Sequence, residues 1–248
     1  MAAHADVHST HAFPPTRHSI VTALAQGTTE DRTRAFDALA RVYWLPIARY
    51  VERWWSTSRQ DAEDLTQSFL AAAFEDGYFE RFDPSRARFR TFVRVCVDRH
   101  VMKWLEREGR LKRGGDVRLV ALDDLNQVAG EATTDASEQI FRDEWIRQLF
   151  QLALARLEQT LVERGNPLCF EVFVAYDVAA LASTDGGAAR PTYQALAERF
   201  GIPRTQVTNF LNLARRLLRE IVVSELRVIT ANDAELRSEA RALLGIAP

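Results

Sequence analysis

Apolar residues recur at three- and four-residue spacing along most of this chain, and no convincing run of alternating apolar and polar residues interrupts them. Such a period sets one face of a helix against a core and leaves no segment from which to build a sheet. The expected fold class is all-α. Ala62, Leu65, Phe69 and Ala72 or Ala73 form one such face; Phe141, Trp145, Leu149 and Leu152 form another. With 248 residues, 47% of them hydrophobic, the chain can bury one or two cores.

Breaking and capping residues divide it. Residues 1–18 lack the apolar core of a signal peptide and read as a flexible arm. Helices are expected at Ser19–Gln26 and Asp31–Trp55, with Pro46 kinking or breaking the second. Ser58 caps the next and Gly77 ends it; Asp83-Pro84 then makes a loop of residues 82–88 before a long helix from Phe89 to Glu108. Residues 114–138 open on Gly114-Gly115 and continue with acids and small polar residues, the composition of a linker. Helices resume near Ser137 and from Pro167 to Asp177. After an Ala/Gly-rich loop at 179–191, a pair follows at 192–200 and 203–223. A last helix runs from Asn232 to Leu244, with Glu235 at the capping-box position and Gly245 at its stop. The expected organisation is two helical domains, 19–113 and 139–228, joined by a flexible acidic linker and followed by a tail, 229–248.

Charge reverses abruptly inside the first of these. From Asp61 to Glu80 there are six acids and no Lys or Arg; from Arg81 to Arg113 there are eleven basic residues against four acids, with Phe82, Phe89, Phe92 and Trp104 interleaved. Cations hold phosphates and rings offer faces to unstacked bases, so the second stretch suits opened nucleic acid. The acidic stretch repels DNA and suits a protein partner. Phe92 shares a helical face with Arg99 and Lys103 and is expected to face DNA, whereas Trp104 falls beside Val93, Val97 and His100 and reads as core. The net charge of −2 announces none of this, because the signs are segregated along the chain.

The segment 192–220 carries the pattern of a helix-turn-helix. Leu196, Ala197 and Phe200 face inward, Gly201 permits a left-handed turn, and Pro203 suits a first helical turn. Beyond it, Val207, Phe210, Leu211, Ala214 and Leu218 lie on one side. Arg204, Thr205, Thr208, Asn212, Arg215, Arg216 and Arg219 lie opposite, with Asn209 at their margin. That polar face has the chemistry to read a major groove.

Taken together these segments resemble the bacterial RNA polymerase sigma factors, of the compact extracytoplasmic-function type. DAEDLTQSF (61–69) is similar to the family's region 2.2, FRTFVRVCVDRHVMKWLERE (89–108) to regions 2.3 and 2.4, and FEVFVAYDV (170–178) with 192–220 to region 4. The resemblance covers most of residues 30–228. It implies core RNA polymerase and promoter DNA as partners and allows for an anti-sigma factor or other regulator. By the resemblance, Asp61, Glu63, Asp64 and Gln67 dock on the polymerase clamp. Phe82, Asp83, Arg86, Arg88, Phe89, Arg90, Phe92, Arg99, Lys103 and Arg107 open and read the minus-ten element. Arg204, Thr205, Thr208, Asn209, Asn212, Arg215 and Arg216 read the minus-thirty-five element. Arg99 stands where the family usually carries Asn, Lys103-Trp104 replaces a common Asp-His pair, and the 179–191 loop is longer than the family's tight turn.

Other classes fit less well. Asp61, Glu63 and Asp64 have no His near them in sequence to complete a metal site, and no phosphate loop or nucleophile motif is present, so neither catalysis nor a cofactor or metal is expected. The runner-up is a helix-turn-helix regulator that binds DNA without joining polymerase. No stretch approaches the roughly 20 apolar residues that span a bilayer. Cys96 and Cys169, far apart among apolar neighbours, read as buried thiols in a reducing cytoplasm. The acids of residues 116–144 read either as a nucleic-acid mimic within polymerase channels or as a solvated spacer.

Overall fold

Side-chain caps start four of the helices, at Thr28, Ser58, Thr192 and Asn232. The computed structural model describes residues 20–107, 135–179 and 190–245, and all regular structure among them is helical. The expected arm, nearly all of the linker and most of the 179–191 loop lie outside the described residues. Helix α1 (Ile20–Gln26) is followed by α2 (Thr29–Trp54), which a capping box begins: the Thr28 hydroxyl accepts from the Asp31 N–H at 3.2 Å, and the Asp31 carboxylate accepts from the Thr28 N–H at 3.3 Å. The Ser58 hydroxyl accepts from the Asp61 N–H and starts α3 (Arg59–Glu75). Gly77, at φ 63°, turns the chain into a short 3₁₀ segment, Tyr78–Arg81. Helix α4 covers Phe89–Arg107 and α5 Asp135–Glu163. Helix α6 (Pro167–Phe173) widens into a π-helical turn at Val174–Val178, and α7 (Tyr193–Phe200), α8 (Arg204–Ile229) and α9 (Asp233–Leu244) complete the order.

Of the kink or break expected at Pro46, the break does not occur: α2 runs through it. Proline takes an N–H out of the helical ladder, but Tyr43, Ile47, Tyr50 and Val51 on the flanking turns are all buried, and Pro46 is buried with them. Packing on both sides holds the helix through the defect. Likewise α8 runs on to Ile229, past the expected end near residue 223, because Val222, Leu226 and Ile229 continue its buried stripe.

Helix α5 joins the two halves of the chain. Its first turns pack on α2, where Phe141 meets the Tyr50 ring edge-on at 5.3 Å, and its later turns pack on α8, where Arg156 pairs with Glu225 at 2.5 Å. One buried apolar cluster therefore runs from Leu39 and Phe69 through Trp145 and Leu157 to Leu211 and Leu226. Ionic contacts close the same seam. The Glu144 carboxylate, 1% exposed, accepts from Arg53 at 2.6 Å and from Arg147, with Arg49 at 3.5 Å.

Burial alone raises the Glu144 carboxyl, but the hydrogen bonds from Arg147 and Arg53 and the charges of Arg147 and Arg49 outweigh it and hold the group below the usual glutamate range. A carboxyl depressed by folding stabilises the fold above its unfolded pKa of about 4.3, and that stabilisation disappears as pH falls through the folded value. Glu144→Gln should accordingly cost about 1–3 kcal/mol at pH 7. The difference between the two proteins in urea melts should shrink below about pH 4.

Candidate nucleic-acid and polymerase interfaces

On α3 the carboxylate–amide face lies outward. Ala62, Leu65, Thr66, Phe69, Leu70 and Ala73 are buried on one side, which leaves the opposite side of the helix to solvent. Glu63, Asp64 and Gln67 are exposed and Asp61 is half-exposed. Arg59 pairs with Glu63 at 2.9 Å, an exposed i,i+4 contact of little energetic weight. Ser68 reaches the other way, 2.8 Å from His100 Nε2 on α4. Burial first, and then Lys103 and Arg107, push the His100 pKa below its ordinary value, so the ring is neutral near pH 7.

The residues expected to open DNA divide into two groups. Arg86, Arg88, Lys103 and Arg107 are exposed, and Phe82 and Asp83 are half-exposed. Phe89, Arg90, Phe92 and Arg99 are buried, at 1, 4, 2 and 7% exposure. This corrects the expectation that Phe92 faces DNA. The reason is a lid of rings: Phe82 folds back to within 5.1 Å of Phe89 and 5.2 Å of Phe92, and Tyr43 and Phe79 each stand 5.9 Å from Phe89. Asp83 serves its own loop. Its carboxylate accepts from the Ser85 N–H at 2.9 Å and the Ser85 hydroxyl at 2.7 Å, which lower its pKa, and it lies 3.3 Å from Arg86.

Two of the buried arginines of α4, Arg90 and Arg94, are met by carboxylates from the second half of the chain. Arg94 reaches Glu138 of α5 at 3.0 Å and Asp98 at 2.6 Å; Asp98 also accepts from Tyr50 at 2.7 Å and Trp55 at 3.1 Å. Arg90 pairs with Glu239 of α9 and lies 5.3 Å over the Trp145 ring. The Glu235 carboxylate accepts from the Phe89 N–H at 2.9 Å and, through its other oxygen, from the Ala231 N–H. Glu235 thus leaves the capping-box geometry the sequence implied, although Asn232 still caps α9 by accepting from the Glu235 N–H.

Residues 192–220 fold as two helices joined by a tight turn, although Phe200 and Leu218, expected inward, are half-buried. Gly201, at φ 65°, ends α7, and the Ile202 N–H returns to the Ala197 carbonyl at 3.0 Å. On α8, Val207, Phe210, Leu211 and Ala214 are buried, while Arg204, Thr205, Thr208, Asn209, Asn212, Arg216 and Arg219 are exposed. Arg215 departs from the expected set. It is half-buried, forked onto Asp177 at 2.8 and 2.9 Å, and 5.6 Å over Tyr176, which also receives Arg190 at 5.7 Å. The π-helical turn carries both Tyr176 and Asp177.

Sequence reasoning missed Asp177, Glu138, Glu235 and Glu239 as partners of the basic residues. Glu235 and Glu239 did leave a trace: they share an i,i+4 face of the tail helix that also carries Leu236 and Ala240, both buried. No family model matches the chain, and searches of curated proteins and of solved structures return no match.

With Phe92 in the core, Phe92→Ala should destabilise the fold by about 3–5 kcal/mol, read from the midpoint of a urea melt. A variant with unchanged midpoint would return the ring to the surface.

Proposed function

We propose that this chain is a sigma factor of the extracytoplasmic-function type, which binds core RNA polymerase and directs it to promoters. The observation that carries the reading is the coexistence of two exposed faces of opposite character. A carboxylate–amide face on α3 includes Glu63, Asp64 and Gln67; a cationic and amide face on α8 includes Arg204, Asn209 and Asn212. A chain that both joins an enzyme and reads DNA needs such a pair. The order DAEDLTQ, FRTF and a helix-turn-helix supports the same reading by resemblance. No described helix is long and apolar enough to cross a membrane.

In this reading α3 docks on polymerase through hydrogen bonds and charge. The start of α8 enters the upstream major groove, where Arg204 and Asn209 meet base edges. Arg215, tied to Asp177, holds the helix to its support and is not counted among the base readers. The arginines of α4 contact the downstream element once they are exposed. Because Arg90 and Arg94 are already neutralised within the chain, the isolated protein binds promoter DNA poorly.

Those neutralised arginines also favour a second reading, a regulator that reads DNA through α8 and never joins polymerase. Mixing labelled protein with core polymerase before any DNA is added separates the two. Complex formation is expected; its absence, with sequence-specific DNA binding retained, selects the regulator.

Asp64→Arg should weaken core binding about tenfold or more, since a guanidinium replaces an exposed carboxylate at the heart of the docking face. Its melting curve should stay within about 0.5 kcal/mol of the parent, as for other exposed sites. Arg204→Ala and Asn209→Ala should each cost about 1–3 kcal/mol on promoters with an intact upstream element. Both should lose that effect in run-off transcription once the upstream element is scrambled.

A further inference from the structure

The start of α4 has the make-up of a phosphate site, and the chain's own last helix occupies it. The Phe89 N–H stands among the unpaired amides of a 19-residue helix, where the helix dipole favours an anion. Two guanidinium groups, Arg88 and Arg90, flank it. The Glu235 carboxylate takes the Phe89 amide at 2.9 Å. The Glu239 carboxylate, 2% exposed, takes Arg90 and lies 3.1 Å from Arg88, which also donates to Ser238 at 3.0 Å. Thus α9 presents two carboxylates to an amide and two arginines, the groups that also grip successive phosphates.

The fit is incomplete. Glu239 Oε2 and Arg90 Nε are buried and have no hydrogen-bond partner among the described residues, although Arg90 Nε lies 3.6 Å from the Glu138 carboxylate. Apolar anchoring is limited: Leu236 and Ala240 are the buried hydrophobic residues of this 12-residue helix, and Leu243 and Leu244 are half-buried against the core. A short connection, Thr230–Asn232, ties it to the end of α8, so it can leave without unfolding the elements before it. A contact held mainly by charge, with polar atoms left over, is one that a polyanion can replace.

We propose that α9 is a displaceable internal ligand of the Arg88–Arg90 site, and that the phosphates of single-stranded DNA take its place. The inference deepens the proposed function, resting on the reading of residues 82–107 as a DNA-opening element. Closure by α9 keeps the site shut in the free protein, and apparent affinity for a strand is reduced by the fraction of molecules that are closed.

The test uses the full chain and a fluorescein-labelled oligodeoxythymidine of about 12 nucleotides, a length within the range one binding groove covers. Glu239→Gln should bind it about tenfold more tightly than the parent at low salt, because a neutral amide holds Arg88 and Arg90 less firmly. Asp233→Asn, which removes the same charge from an exposed position on the same helix, should change affinity by less than about twofold. In the unsubstituted protein, saturating oligonucleotide should accelerate amide hydrogen exchange across residues 236–244. Equal affinity of Glu239→Gln and the parent, undetectable binding by both, or α9 amides that stay protected with the oligonucleotide bound, each overturns the proposal. Core polymerase binding, measured on the same proteins, is read separately: its absence beside a tighter oligonucleotide complex removes the sigma assignment and leaves the α9 site standing.

Discussion

A guanidinium group cannot shed its charge at any pH a protein experiences, so an arginine taken out of water must bring a carboxylate with it. Helix α4 takes in three, Arg90, Arg94 and Arg99, with 7% exposure or less. The carboxylates for two of them come from far along the chain, Glu138 on α5 and Glu239 on α9. This requirement draws the C-terminal half back onto the N-terminal half. Phe141, Trp145 and Leu149 are then placed where they extend the core begun by Tyr43, Tyr50 and Phe69.

Charge and apolar packing consequently do different jobs at the seam between the halves. The apolar cluster supplies most of the stabilisation, in proportion to area buried and without regard to direction. The ionic contacts contribute less net energy, since desolvation offsets them, but they fix which helix lies where. Glu144 accepting from Arg53 and Arg49, and Glu138 accepting from Arg94 and from the Thr91 hydroxyl, set the register of α5 against α2 and α4. Acids of the 116–144 stretch, which by sequence read as a spacer or as a mimic of nucleic acid, include both of these carboxylates.

Helix ends were the most legible part of the sequence because their causes are local. Ser58, Gly77, Gly201 and Asn232 act within a turn or two of themselves, and each does what its residue type implies. The faces of α8 were legible as well, since Val207, Phe210, Leu211 and Ala214 mark a single inward side. Helix α4 was misread because a wheel assigns faces without knowing what covers them. Phe89, Phe92, Val93, Val95, Cys96, Val97 and Val101 surround the axis on nearly every side, which is the pattern of a helix enclosed by others. The arginines between them drew attention to solvent, while their partners on other helices lay 44 residues or more away. At Pro46 the break that a local reading allowed is absent, because long-range packing holds the helix.

On the proposed reading, the π-helical turn at Val174–Val178 limits the length of DNA that α8 would survey. By adding a residue to one turn it brings Asp177 onto Arg215 and fastens the middle of α8 to its support. What remains unencumbered toward the N-terminus runs from Arg204 to Asn212, a rise of about 12 Å at 1.5 Å per residue. Base pairs stack about 3.4 Å apart, so that stretch spans about four of them. On the proposed reading, the upstream element recognised by this protein has a short core, and promoters are told apart as much by the spacing to the second contact as by the letters of the first.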